Sequence, residues 1–418
     1  MTAHADARAP TLPTVDGMRY GALGLPLAFV ALPLYVHLPA HYATQFGVPL
    51  ASLGALLLAA RALDAVADPW IGRHCDRALG RAALTWQLPL VAALLAAGFA
   101  ALFFPAVRAP AALLAWAGTG LVITYLAYSV LTVLHQAWGA RLGGGVARQS
   151  RVVAWREGFA LVGVVAASVL PSAAGFGVTT GVLAVALVAT LALLRTAPQP
   201  TLSTAEPAPL ALAWRVPEFR RLLAVFLLNG IAAAMPATLL LFFIDDRLRL
   251  PGSQALFLAT YFVAAVASLP VWLRVIARVG QARAWALGMA LAVAAFGWAA
   301  ALGEGDRAGF LAVCIASGAA LGADLAVPGA LLAGVIQRAG LSGRAEGAFF
   351  GWWNAATKLN LALAAGLALP LLQWLGYAPG QRDLQALQAL AIAYCLLPCA
   401  LKLGAAALLV RHFIATPP

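Results

Sequence analysis

Arg61, Asp64 and Asp68 stand within the run LGALLLAARALDAVADPWIG, which is otherwise apolar enough to lie in lipid. An isolated charge at the bilayer centre costs roughly 3 kcal/mol on insertion scales, so three together imply a task. Offsets of three and four put them on one helical face. Each carboxylate can then share the guanidinium, and a proton or small cation can share both carboxylates. Lys358, in WWNAATKLNLALAAG, faces the same constraint and must pair with a carboxylate or lose its proton. The expectation is a pair with Asp64 or Asp68, against a lysine that snorkels to an interface.

Other polar residues fall at helical spacing inside apolar runs. Tyr128, Thr132, His135 and Gln136 form a stripe that could line a solute path with hydrogen-bond donors and acceptors, or tie helices together. Asp324, in GADLAVPGALL, is a candidate for solute binding or gating, with a structural ion pair as the alternative. Trp353 and Asn354 lie just before Lys358; Trp353 could stack on a solute, although packing is the default for an aromatic there. Arg156 and Glu157 could contact solute or form a gate pair. Asp245 and Asp246, beside Arg247 and Arg249, read as a solvated rim. Cys395 and Cys399 read as small apolar packing.

The elements that must position these groups are membrane helices. The 418 residues are 63% hydrophobic and 10% charged, too few charges to cover a soluble surface, and apolar runs of about twenty residues recur throughout. Hydropathy predicts twelve spans: 20–43, 48–72, 83–106, 111–140, 152–174, 178–195, 221–245, 253–275, 284–302, 309–336, 348–374 and 386–410. With the amino terminus cytoplasmic, eighteen arginines fall in cytoplasmic segments or at the cytoplasmic ends of spans, and five on the other side. The net charge of +12 therefore reflects topology rather than a nucleic-acid partner, and both termini are expected in the cytoplasm. The start, MTAHADARAPTLPTVDG, has no basic n-region and no cleavage site, so no cleaved signal is expected.

One long connection, RTAPQPTLSTAEPAPLALAWRVPEFRR, divides the spans six and six. This predicts an amino-terminal bundle over 1–194, a cytoplasmic linker over 195–221 and a second bundle over 222–418. Two halves related by an axis along the membrane normal are the pattern of the major facilitator fold, with solute bound near mid-membrane. Gly21, Gly24, Pro26 and Pro33 in span one, and Asn229, Gly230 and Pro236 in span seven, are paired backbone breaks that point to a cavity. The turn GRHCDRALGR resembles the superfamily's loop signature through Gly72, Asp76, Arg77, Gly80 and Arg81, with one extra residue before Gly80. That resemblance implies that the acid pairs with an arginine and latches one conformation, with Arg61, Asp76, Arg77 and Arg81 as gating candidates.

RALDAVADPWIG resembles the Arg-x-x-Asp-Ala-x-x-Asp-Pro-x-x-Gly of the glycoside, pentoside and hexuronide cation symporters. YSVLTVLHQAWGARLGGGVARQSRVVAWREGFALVG and RAEGAFFGWWNAATKLNLALA are similar to two further stretches of that family. The resemblance implies a coupling cation at Asp64 and Asp68 with Tyr128 and Ser129 beside that site, Arg156 near the solute, and Lys358 near the carboxylates. Galactoside-transporting members carry an Asp on span one and another on span four, where this chain has Ala28 and Thr132; a stacking Trp aligns with Gln136. Galactoside specificity is therefore not expected. P-loop, His-Glu-x-x-His and nucleophile-elbow motifs are absent. The expectation is a monomeric secondary transporter of the bacterial inner membrane, not an enzyme, that needs no cofactor. It would couple a small polar, sugar-like solute to a proton, or to sodium. The alternatives are an amphiphile or lysolipid carrier and a non-transporting scaffold or sensor.

Overall fold

A computed structural model describes residues 12–48, 50–79, 84–201, 208–377 and 383–415; Arg81 and residues 202–207 of the linker lie outside these. The described residues are helical or in short connections. Ten of the helical spans are apolar and long enough to cross a membrane. Two more helices, of 30 and 29 residues, reach about 45 Å at 1.5 Å per residue. The first of them carries Arg61, Asp64 and Asp68, which lower its hydropathy without shortening it.

The contacts divide the chain into two compact units, Met1–Ala213 with Ile336–Ala355, and Trp214–Val335 with Ala356–Pro418. In the first unit the helices are α1 Thr14–Gly21, α2 Gly24–Leu32, α3 Leu38–Phe46, α4 Leu50–Leu79, α5 Leu84–Phe103, α6 Pro110–Arg141 and α7 Val146–Arg195. Span one is broken into α1, α2, a π-helical turn Pro33–His37 and α3, because a proline cannot donate to the helical ladder. Pro110 starts α6 at its first turn, where the missing N–H is harmless. Spans five and six form one helical run interrupted at Gly175, whose φ of 76° and ψ of 172° are non-helical. Glycine alone adopts that conformation without strain.

Small residues let the helices of this unit approach closely. A Cβ on Gly163 of α7 would sit 2.1 Å from the Leu25 carbonyl oxygen, and one on Gly24 would sit 2.4 Å from that of Arg156. The obstacles are backbone atoms and cannot rotate away. Gly163→Leu is therefore expected to separate α2 from α7 and leave little folded protein, whereas Gly181→Leu, where nothing lies within 4 Å, should fold. Fluorescence-detected size-exclusion chromatography of the two variants checks this.

A short α8, Leu212–Arg215, leads into the second unit. There follow α9 Pro217–Phe242, α10 Gln254–Val279, α11 Gln281–Ala299, α12 Arg307–Ala326, α13 Pro328–Arg338, α14 Glu346–Trp374, α15 Leu384–Ala391 and α16 Leu397–Leu409. Span ten is broken between α12 and α13 just before Pro328. An apolar core of Met235, Leu239, Phe243, Phe257, Phe310 and Tyr394 fills one end of this unit, with Phe243 and Tyr394 stacked at 4.2 Å between ring centroids.

The expected solvated rim at the end of span seven is partly withdrawn from solvent instead, with Asp245 and Arg247 half-buried. Asp246 is buried and accepts from the Tyr377 hydroxyl. Arg247 donates to the carbonyls of Leu302 and Ala300, which follow the end of α11 and would otherwise lack a helical partner, and to that of Leu387 in α15. Only the Arg249–Glu304 pair has the expected exposure.

Candidate functional site

In the first unit α4 and α6 carry the polar residues that the spacing singles out. Asp64 and Asp68 lie one turn apart on α4 and are 4% and 0% exposed. The Ser129 hydroxyl, from α6, donates to Asp64 Oδ1 at 2.6 Å. Arg61, one turn earlier, lies beside Asp64 and Tyr125. Tyr128 and Thr132, half-buried on α6, continue the line from Ser129. Gln136 and Asn354 exchange amide hydrogen bonds: Asn354 Nδ2 donates at 2.7 Å and Gln136 Nε2 at 3.3 Å. Trp353 is packed at 5% exposure.

His135 shares the helical stripe but not its surroundings. It is fully buried, its Nε2 lies 2.9 Å from the Tyr20 carbonyl, and the Tyr20 hydroxyl donates to the His135 carbonyl at 2.8 Å. A carbonyl can only accept, so Nε2 carries the proton. The ring is a reciprocal tie between α1 and α6, and it offers no surface to a solute here. Arg156 donates through Nε and Nη2 to one oxygen of Glu157, at 3.0 and 2.7 Å, which is the ion-pair alternative of the sequence reading. Lys358 belongs to the second unit and is half-buried on α14.

A second polar centre in the first unit is built around Asp76, which is 4% exposed. Its carboxylate accepts from the backbone N–H groups of Gly347 at 2.8 Å and Ala348 at 2.9 Å, and from Arg141 Nη2 at 2.9 Å. Arg141 Nε donates to Glu346 at 3.0 Å, and the other oxygen of Glu346 accepts from Gly343 N–H at 2.6 Å. Asp76 thus caps the amino terminus of α14, where helical N–H groups have no partner of their own and the helix dipole favours an anion. The approach needs two glycines: a Cβ on Gly72 would lie 2.0 Å from the Gly347 carbonyl oxygen. The partner of Asp76 is therefore Arg141, at the end of α6, while Arg77 of the loop signature is exposed.

The second unit holds its own buried charges. Asp324, in the last turn of α12, accepts from Asn229 Nδ2 of α9 at 3.0 Å and Trp285 Nε1 of α11 at 2.7 Å through Oδ1. Through Oδ2 it accepts from Lys402 Nζ of α16 at 2.9 Å. Four helices meet on one carboxylate. It forms one end of a cavity of about 150 Å³ whose other walls are largely apolar.

The family profile of MFS/sugar transport proteins matches residues 18–415. The chain belongs to the MFS/sugar transport family. Members are transporters rather than enzymes, which fits the membrane-crossing helices and the charges buried among them. No curated protein matches the chain.

Solved structures agree in fold. A bacterial homologue of the iron transporter ferroportin, in an outward-facing state, superposes with a TM-score of 0.71 at 17% identity, covering 96% of this chain and 99% of that one. The transporter FucP in its outward conformation gives 0.68 at 14% identity, covering 95% and 99%. The human organic anion transporter MFSD10 gives 0.66 at 18%, covering 95% and 100%. This MFS/sugar transport family member therefore has the major facilitator fold and moves a small solute across a membrane.

The sequence reading missed Arg141 as a partner of Asp76, and Asn229, Trp285 and Lys402 as partners of Asp324. Lys402 could have been found by the argument applied to Lys358, since it too lies within an apolar span.

Proposed function

We propose that the protein is a cation-coupled symporter of a small hydroxylated, sugar-like solute, of the glycoside, pentoside and hexuronide branch, working by alternating access. The observation that carries this reading is the buried Asp64–Ser129 hydrogen bond one turn from the fully buried Asp68. Two carboxylates and a hydroxyl on adjacent helices can hold a monovalent cation, or a proton on one carboxylate, within a span that otherwise repels charge. Lys358 serves as the counter-ion of the empty site and yields to the incoming cation. Tyr128, Thr132, Gln136, Asn354 and Arg156 contribute to solute binding, and release of Asp76 from α14 accompanies the change of access. Both termini face the cytoplasm of a bacterial inner-membrane protein that acts as a monomer.

Proton coupling is favoured over sodium. The residue before Asp68 is Ala67, where the family pattern often supplies an Asn carbonyl, and sodium needs several oxygen ligands whereas a proton needs one carboxylate. In proteoliposomes, uptake is expected to follow an imposed pH gradient without sodium. Uptake that follows a sodium gradient at fixed pH and ignores the pH gradient refutes proton coupling. A complete lack of gradient-driven flux over a panel of sugars and sugar acids refutes the symporter reading and favours a scaffold or sensor. The apolar cavity of the second unit favours a second reading, in which the solute is amphiphilic.

A further inference from the structure

The cavity beside Asp324 combines three features that no packing role explains together. First, its size of about 150 Å³ is that of engineered protein cavities that take up benzene. Its walls suit such a body: Pro236, Tyr261, Phe262, Phe296 and Phe310 are among the lining residues. Second, Asp324 already holds three donors from three helices, leaving about one of its four lone-pair positions for a ligand. Third, the groups around it are not saturated. Lys402 Nζ carries three N–H donors and, among the described residues, uses one of them, on Asp324. Asn229 is 4% exposed, and its Oδ1 is a buried acceptor without a donor among the described residues. Asn229 lies one turn before the lining residues Ala232 and Ala233, on the same face of α9.

An unmade hydrogen bond at a buried polar atom costs about 1–3 kcal/mol, and a donor and an acceptor that are unused among the described residues belong here to two partners of the same carboxylate. One group that satisfies both at once is a hydroxyl, which accepts and donates. The charges favour a neutral ligand, because the ammonium and carboxylate already cancel and a further anion would leave the buried site with net charge. We propose that this cavity binds an uncharged, hydroxyl-bearing molecule whose apolar body is the size of one six-membered ring. The hydroxyl accepts a hydrogen bond from Lys402 Nζ and donates one to Asn229 Oδ1. As an identification of the cargo this rests on the transporter reading; as a binding site it stands without it.

The test uses the full chain in detergent and equilibrium dialysis with radiolabelled phenol and cyclohexanol, with toluene and benzoate as controls. Both alcohols are expected to bind at least tenfold more tightly than toluene and benzoate. Ala237→Phe, which fills the cavity from an exposed lining position, should abolish binding of all four. The double variant Asp324→Asn with Lys402→Met keeps the cavity and removes both charges, and should weaken the alcohols about tenfold while leaving toluene unchanged. Equal binding of toluene and phenol, tighter binding of benzoate, or alcohol binding indifferent to Ala237→Phe overturns the proposal. Alcohol binding that is lost in Ala237→Phe but unaffected in the double variant overturns it too, and leaves an unspecific apolar hole. Binding without flux of either alcohol in proteoliposomes separates this site from the transport reading. Alcohol flux without binding sensitive to Ala237→Phe refutes the site and keeps transport.

Discussion

Asp68→Asn is expected to abolish concentrative uptake, lowering gradient-driven accumulation in proteoliposomes at least a hundredfold, while exchange of internal for external solute persists. The asparagine keeps the size of the fully buried side chain but can neither take up a proton nor carry the charge that holds a cation. On the proposed coupling role, an uncharged side chain no longer needs an ion to neutralise it, so the solute-loaded protein is expected still to change access. Asp64→Asn should behave similarly with a smaller effect on folding than Asp64→Leu, because the amide oxygen can still accept from Ser129. If Asp68→Asn accumulates solute as the natural protein does, the coupling site lies elsewhere, and the Asp324 cluster becomes the leading candidate.

Arg141→Met is expected to be the most damaging change at the Asp76 centre. It leaves Asp76 and Glu346, which are 4% and 2% exposed, without the cation between them. Breaking a buried pair by removing one partner costs about 3–5 kcal/mol, because the surviving charge is stranded. Here two carboxylates are stranded, although Asp76 keeps the two N–H groups of α14 and Glu346 keeps that of Gly343. Thermal unfolding in detergent should show a clearly lowered midpoint. The triple variant Asp76→Asn, Arg141→Gln, Glu346→Gln should recover much of it, because no charge is left buried. A single variant as stable as the natural chain would show that the three charges are not an energetic unit.

Much of this molecule can be read from residue order, and the limits have physical causes. Span lengths follow from the bilayer, so the helices were expected close to where they occur, and Gly175 falls in the short gap expected between spans five and six. Helical spacing placed Asp64 and Asp68 on one face, and the resemblance placed Ser129 beside them. Periodicity says which residues share a face, not what covers that face. The stripe of Tyr128, Thr132, His135 and Gln136 thus contained one member, His135, that Tyr20 of another helix had enclosed. Arg141 looked like one more cytoplasmic charge because arginines are common at helix ends. Its partners lie 65 and 205 residues away, and no local pattern reports such a meeting. The rim at Asp246 and Arg247 was misread for the same reason, since its burial depends on Tyr377 and on carbonyls of other helices.

Helix α14 is shared property: residues 346–355 count with the first unit and the remainder with the second. Within the first unit, loosening the start of α14 from α4 means bending this helix or peeling its first turns away. At the boundary stand Ala355, Ala356 and Thr357, with no proline or glycine to soften the ladder, so bending is the stiffer route. Peeling has a fixed order of contacts. Asp76 grips the N–H groups of Gly347 and Ala348, and one turn further on Gly351 is pressed against the backbone carbonyl of Asp68, so closely that a Cβ there would come within 2.5 Å. The start of α14 that Asp76 grips therefore also rests, one turn on, against the backbone of Asp68, like a zip with one tooth at each of the two acids of α4. If Asp68 takes up the coupling ion as proposed, the strength of the Asp76 grip on α14 is expected to change with its occupancy, and by thermodynamic reciprocity each then shifts the free energy of the other by the same amount.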